Sequence, residues 1–452
     1  MSYANSTYAG VSQNYTYDND GLLLSSGGYN LIRDIDNGYT TSLSDGVLNQ
    51  TRTYDNYGEL TAQSDNTFSY NLIKDNASLI TQKEETINNQ TSTYNYTYDD
   101  NGKLTQVKKD NTIVEEYTYD NNGNRLSSTV NGITTTASYT LDDQIEVYGD
   151  NTYTYDNDGY LQEKVTPDST TTYSYSTLGE LKEVSTPTKT ITYEHNANNQ
   201  RVSKLIDGVI TEKYLWANLT TLLAIYDKDD NLIQRFEYAD QRMPVTMTMD
   251  SDKYYLHYDQ VGSLRAISDT NHNIIKEIVY DTYGNILLDT NPNFKVPFGF
   301  AGGFYDEDTK LVRFGYRDYD SYTGKWTAKD PIDFFGGDSN LYGYVLGNPV
   351  NFIDPFGLCN MYEGAMDRAL YQDQTWEERQ RNAFNMFDKT SEVGKIISVT
   401  GTLLENPLLI GTGEAISVGA TTMKYIVSPD NHQSHEIVND YLPFQYFITP
   451  AY

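Results

Sequence analysis

The sequence predicts a mainly β fold: a spiral of antiparallel hairpins forming part of a curled or closed shell, followed by a small, mainly α segment. Three observations carry that expectation. A Tyr-Asp-x-x-Gly unit recurs from Tyr17 onward at strand-pair spacing. Tyrosine dominates the aromatics, with 42 Tyr against 15 Phe and 3 Trp, as half-buried pleated surfaces favour. After Leu358 the tyrosine units stop and the pattern turns helical.

Each element of a repeat has a physical reason. Tyr-Thr-Tyr, at Tyr15–Tyr17 and again at Tyr153–Tyr155, alternates side chains between two sheet faces. The turn follows as Asp18-Asn19-Asp20-Gly21, Asp55-Asn56-Tyr57-Gly58, Asp99-Asp100-Asn101-Gly102, Asp120-Asn121-Asn122-Gly123 and Asp156-Asn157-Asp158-Gly159. Residues that tolerate positive φ make these tight hairpin turns. The returning strand, such as Arg125–Val130, ends at a second turn, Asn131-Gly132. Repeated units give a ribbon that must curl or close to protect its edges. The Asp-rich turns invite a calcium reading, but they lack the distal bidentate Glu of an EF-hand loop. Packing on the pleated surface is the ordinary role of the tyrosines, and a carbohydrate platform the alternative.

Composition removes several classes. Hydrophobic residues are 38% of the 452, but disordered chains are poor in aromatics, and this one has 13%. Thirty-two Lys+Arg against 63 Asp+Glu give a net charge of −31, which opposes nucleic-acid binding by the shell surface. One cysteine, Cys359, excludes an internal disulfide framework, and five scattered histidines argue against a large metal centre, so no metal or other cofactor is expected. The first residues show no basic and apolar signal-peptide pattern, and no apolar run reaches the roughly 18 residues of a membrane span.

Farther along, Tyr258-Asp259-Gln260-Val261-Gly262-Ser263-Leu264-Arg265 precedes a dense run of motifs. These are Arg317-Asp318-Tyr319-Asp320, Thr323-Gly324-Lys325-Trp326, Asp330-Pro331, Asn340-Leu341-Tyr342-Gly343-Tyr344, Asn348-Pro349 and Asp354-Pro355-Phe356-Gly357-Leu358. The units resemble the YD repeats of Rhs proteins, of insecticidal toxin-complex B and C components, of WapA-type toxins and of teneurins. Residues 298–358 resemble the RHS repeat-associated core domain. The resemblance implies a hollow β-cocoon closed by that core, with repeats over 1–245, the core over 246–358 and a variable effector-like segment over 359–452. It also implies self-cleavage at Leu358–Cys359, with Asp330 and Asp354 as the acids and Arg313 or Arg317 orienting a carboxylate.

That chemistry is sound on general grounds. Amide hydrolysis needs a base to activate water and an acid to protonate the leaving nitrogen. Two carboxylates held close share one proton, so each takes one role. Pro331 and Pro355 fix φ beside the acids and stiffen them. The first motif departs from the family: Asp333 stands where Gly is usual, and Asp tolerates positive φ better than most residues. The bland alternative makes both Asp-Pro units simple turns. A rival mechanism has Cys359 attack its own preceding carbonyl.

Beyond Leu358, Met366, Ala369, Leu370, Ala383, Phe384 and Phe387 suggest one apolar helix face. Residues 393–427 read as packed helices, and His432 and His435 as a solvated pair. The tail's 12 Asp/Glu against 6 Lys/Arg fit a basic nuclease poorly, and its activity is not legible.

Three classes of function follow. The first is a shell that encapsulates its own C-terminal segment and releases it by cleavage. Such a protein would be delivered outside the producing cell by a specialised secretion system, with an immunity protein for the tail. The second is a carbohydrate- or cell-surface-binding module, and the third an inactive structural remnant. Because Met1 begins within the repeat register, a longer chain or a second shell-forming chain is expected to complete the enclosure.

Overall fold

The computed structural model describes residues 2–19 and 21–358, together with the strands Ala415–Val418 and Thr421–Lys424. Those two strands form an antiparallel hairpin, so these eight residues are extended where packed helices are expected. The rest of the tail, including the helix face at 366–387, His432, His435 and Cys359, lies outside the described residues.

From Ser2–Tyr8 to Ile286–Asp289 the chain forms a 29-stranded antiparallel meander. Strands pair with their sequence neighbours, as Thr112–Tyr119 does with Arg125–Val130, and that strand in turn with Ile133–Tyr139. Burial alternates along a strand: in Asn49–Tyr54, Gln50 and Arg52 are buried while Asn49, Thr51 and Thr53 are exposed.

The repeat turns differ in detail from the expectation. In the unit at Tyr119, Asp120 Oδ1 accepts from the backbone N–H of Asn122 (2.9 Å) and Asn124 (2.8 Å). Of the turn residues only Gly123, at φ 82°, enters the left-handed region, and the register slips between Thr118 and Tyr119. The unit is therefore an Asp-organised turn closed by a glycine and a bulge. The two-residue turn with positive φ at both positions is the return turn, Asn131 (49°) and Gly132 (81°).

The repeated tyrosine has a second task besides packing. Tyr98 donates its hydroxyl to the Ile80 carbonyl (2.6 Å), Tyr119 to Leu104 (2.7 Å) and Tyr139 to Arg125 (2.8 Å). Each acceptor opens the returning strand of the preceding hairpin. Trp216 substitutes, its indole N–H reaching the Arg201 carbonyl at 2.6 Å. Phenylalanine would fill the space but leave those carbonyls without this donor.

The ribbon curls until its early strands meet its late ones. Tyr29 donates to Thr246 at 3.0 Å, Arg52 pairs with Asp240 at 2.9 Å, and Arg265 with Glu85 at 2.8 Å. A smaller four-stranded sheet follows, made of Phe304–Tyr305, Leu311–Phe314, Arg317–Asp320 and Lys325–Trp326. Its core is a buried cluster that includes Phe300, Phe314, Tyr319, Trp326 and Tyr344.

This C-terminal unit docks on the row of repeat turns. Asn348 Nδ2 donates to the Gly102 carbonyl (2.8 Å), Lys325 Nζ to Asn124 Oδ1 (2.6 Å), and Tyr342 hydroxyl to the Gly159 carbonyl (2.8 Å). Arg313 Nη2 donates to Asn199 Oδ1 at 3.1 Å. Four of the repeat turns thereby hold the segment that carries the Asp-Pro motifs. Between ribbon and core lies a cavity of about 690 Å3, bordered by Lys164, Lys204, Tyr214, Lys276 and Phe304. Among the described residues, no helix is long and apolar enough to cross a membrane.

Candidate active site

Both Asp-Pro motifs are turns, and the turns are what aim the carboxylates. Asp at the first position and Pro at the second suit a β-turn, with Gly preferred at the fourth. The Asp333 N–H donates to the Asp330 carbonyl (3.0 Å), and the Gly357 N–H to that of Asp354 (3.2 Å). Asp333 has φ 51° and Gly357 φ 66°, so Asp333 adopts the left-handed conformation that Gly takes in the second turn. Gly357 has no room for a side chain: a Cβ there would lie 2.6 Å from the Phe314 carbonyl oxygen. That close approach keeps the second turn pressed against the Leu311–Phe314 and Arg317–Asp320 hairpin.

The two carboxylates meet on one guanidinium. Arg317 Nη2 lies 2.8 Å from Asp330 Oδ2 and 3.3 Å from Asp354 Oδ2. Its Nε donates to the Gly357 carbonyl at 2.5 Å and its Nη1 to the Leu341 carbonyl at 3.2 Å. The guanidinium also lies over Trp326, 4.3 Å from the ring centroid, so packing fixes the fork as well. Asp354 Oδ1 accepts the Leu358 N–H at 2.9 Å. The Leu358 carbonyl sits across Gly336 from Asp330: a methyl on Gly336 would be 2.6 Å from the Leu358 oxygen and 2.8 Å from Asp330 Oδ2.

Arg317, Asp330 and Asp354 are all buried. Burial pushes the Asp330 carboxyl up to about 7, outweighing Arg317 and the Ile332 N–H, with the charges of Asp354 and Asp333 adding to the rise. A carboxylic acid that keeps its proton near neutrality beside an ion-paired carboxylate is what divided acid and base roles require.

Of the expected residues, Asp330, Asp354, Arg317, Gly357 and Leu358 come together, with Pro331 and Pro355 in the flanking turns. Arg313 goes elsewhere: its Nη1 pairs with Asp318 Oδ2 at 2.7 Å, and Asp318 Oδ1 also meets Arg201 at 3.1 Å. Hairpin register explains the split. Arg313 and Asp318 are directly opposed and share a face, whereas Arg317 opposes Phe314 and takes the other face. Gly336 and the Leu341 carbonyl belong to the site and were not anticipated. The adjacent glycines Gly336-Gly337 are the sequence signal that pointed there.

A second arrangement has triad distances. His257 Nδ1 lies 2.9 Å from Asp65 Oδ2 and its Nε2 2.8 Å from Ser268 Oγ. Ser268 is 0% exposed, so no substrate reaches its hydroxyl, and the relay serves to tie the late strands to the early ones. Among the described residues, no group of three or more His, Cys, Asp or Glu is placed to hold a metal ion.

The sequence profile of the teneurin YD-shell family matches residues 3–340. The chain belongs to that family. Asp330 lies inside the matched span of the YD shell, and Asp354 and Leu358 just beyond it. Relatives include mouse Teneurin-4, 30% identical over 324 residues, and the tRNA3(Ser)-specific nuclease WapA of Bacillus spizizenii, 28% identical over 272 residues. These alignments cover 68% and 57% of this chain but only 12% and 11% of the relatives, so the chain spans a small part of either. Among solved structures, the Photorhabdus luminescens Tc holotoxin pore aligns at a TM-score of 0.49 and 18% identity, covering 77% of this chain and 21% of that one.

Proposed function

We propose that this YD shell is the C-terminal part of an Rhs-type polymorphic toxin that cuts its own backbone at Leu358–Cys359 and so frees residues 359–452 as an effector. The observation that carries the reading is the meeting of Asp330 and Asp354 on Arg317, with the Leu358 N–H on Asp354 and the Leu358 carbonyl facing Gly336 beside Asp330. Water adds through its oxygen to the Leu358 carbonyl carbon. Ionised Asp354, held by Arg317 and the Leu358 N–H, takes the water's proton. Asp330 supplies its proton, first polarising the carbonyl and then passing it to the Cys359 nitrogen as the C–N bond breaks. The products are a Leu358 carboxylate and a Cys359 amine.

The cavity between ribbon and core, about 690 Å3, is the size of a small-molecule pocket. It is too small to be the chamber for residues 359–452, since a domain of about 100 residues fills on the order of 10⁴ Å3. In this reading a second shell-forming chain, or further repeats, completes the container, and the likeness to a nuclease toxin supports a shell that bears a toxic tail. The protein acts outside its producer, and its tail is met by an immunity protein. A carbohydrate-binding role for the tyrosines has less support, because among the described residues those in the ribbon are buried or half-buried, with Tyr57 the exception.

Intact mass under denaturing conditions tests the reading. Two species meeting at Leu358–Cys359, replaced by one full-length mass in Asp330→Asn and Asp354→Asn and unchanged in Cys359→Ala, are expected. A wild-type chain that stays whole refutes it, and loss of cutting in Cys359→Ala alone would transfer the chemistry to the thiol.

A further inference from the structure

Gly336 closes the short 3-10 turn Asp333–Gly336 and lies directly over the reacting groups. Its φ is not in the left-handed region, so its backbone makes no demand for glycine. The demand comes from what faces it. A Cβ would stand 2.6 Å from the Leu358 carbonyl oxygen and 2.8 Å from Asp330 Oδ2, closer than real Cβ atoms approach. Gly337, next in the chain, is the reverse: φ is 85° and the space around a Cβ is open.

The same spot is a small polar cavity. It has a volume of about 10 Å3 and is lined by Arg317, Asp330, Gly336, Asp354 and Leu358, among others. A cavity holds one water where it admits a single water-sized sphere and offers two to four polar partners. Asp330, Asp354 and the Leu358 carbonyl supply them.

We infer that the cavity over Gly336 is the seat of the hydrolytic water, and that Gly336 lacks a side chain for the sake of the reaction rather than the fold. This inference rests on the self-cleavage reading and adds to it the place of the nucleophile and a positioning residue. One water fits between the acid that activates the carbonyl, the carboxylate that takes the proton and the carbon to be attacked. A methyl occupies that volume and pushes the Leu358 carbonyl away from Asp330. Misplacing a reacting group by about 1 Å costs on the order of a hundredfold in rate.

The test compares Gly336→Ala with Gly337→Ala in the full chain, following cleavage by intact mass and stability by thermal unfolding. Gly336→Ala is expected to slow cleavage by about a hundredfold or more while its unfolding temperature falls less than that of Gly337→Ala. Gly337→Ala, strained at its backbone, is expected to melt lower and still cleave. The slow residual cleavage of Gly336→Ala should also keep its alkaline limb at a higher pH, because a methyl desolvates Asp330 further. Gly336→Ala cleaving within about threefold of wild type would overturn the inference and leave the dyad reading standing. A slow Gly336→Ala chain that melts as low as Gly337→Ala, or whose limb does not move, would make Gly336 an ordinary fold glycine and overturn it too. Wild-type protein that never cuts would instead remove the dyad reading itself.

Discussion

Asp330 sits in a turn that any Asp-Pro sequence favours, and its distinction is the state of its proton. Burial raises its carboxyl to about 7, so the folded chain prefers it protonated. Its contribution to stability is fully present below the ordinary carboxylate value of 3.8 and is lost as pH rises through about 7. Cleavage that draws on this proton should decline over the same window, which half-times measured between about pH 5 and pH 9 will show. Asp333 adds to the rise and holds a left-handed φ of 51° in place of glycine. Asp333→Gly should therefore move the alkaline limb to lower pH and stabilise the chain by about 1 kcal/mol in urea unfolding. The Asp-Pro pair was readable from sequence because turn chemistry is local. The choice between Arg313 and Arg317 was not, since it depends on the register of a hairpin; taking Gly315-Tyr316 as a two-residue turn would have set Arg313 against Asp318.

At the scale of the hairpin, the repeat is a stitched unit rather than a stack of rings. A tyrosine hydroxyl crosses to the strand that opens the previous return, so neighbouring units are joined by a side chain as well as by the ladder. Tyr139→Phe removes the bond to the Arg125 carbonyl and nothing of the ring, and should cost about 1 kcal/mol by urea denaturation. Alternating Tyr-Thr-Tyr, the Asp-x-x-Gly turns and Asn131-Gly132 made the ribbon legible, because period and turn type are properties of a few adjacent residues. The stitch was not legible, since its acceptor is a backbone carbonyl in another hairpin. The helical pattern at 393–427 does not hold at Ala415–Val418 and Thr421–Lys424, where Ser, Thr and Val suit a strand as well as a helix.

For the molecule as a whole, ribbon and core are interlocked by buried ion pairs. Arg201 lies on the Tyr193 ring, 3.5 Å from its centroid, and binds Asp318 in the core. Removing one member of a buried pair strands its partner, so Arg201→Ala should lose about 3–5 kcal/mol in chemical denaturation. The loss should appear as one transition shared by ribbon and core signals, and cleavage should slow, because Asp318 is the neighbour of Arg317. The turns at Gly102, Asn124, Gly159 and Asn199 all grip the segment that bears the dyad. That arrangement imposes a sequence of events. During synthesis those turns emerge well before Leu358, so the contacts that hold the dyad's segment are available before the dyad itself is complete. A cut made by such a site happens once per molecule and works as a completion signal. Under the proposed self-cleavage, a free tail would mark a shell that has folded, and an uncut tail one that has not.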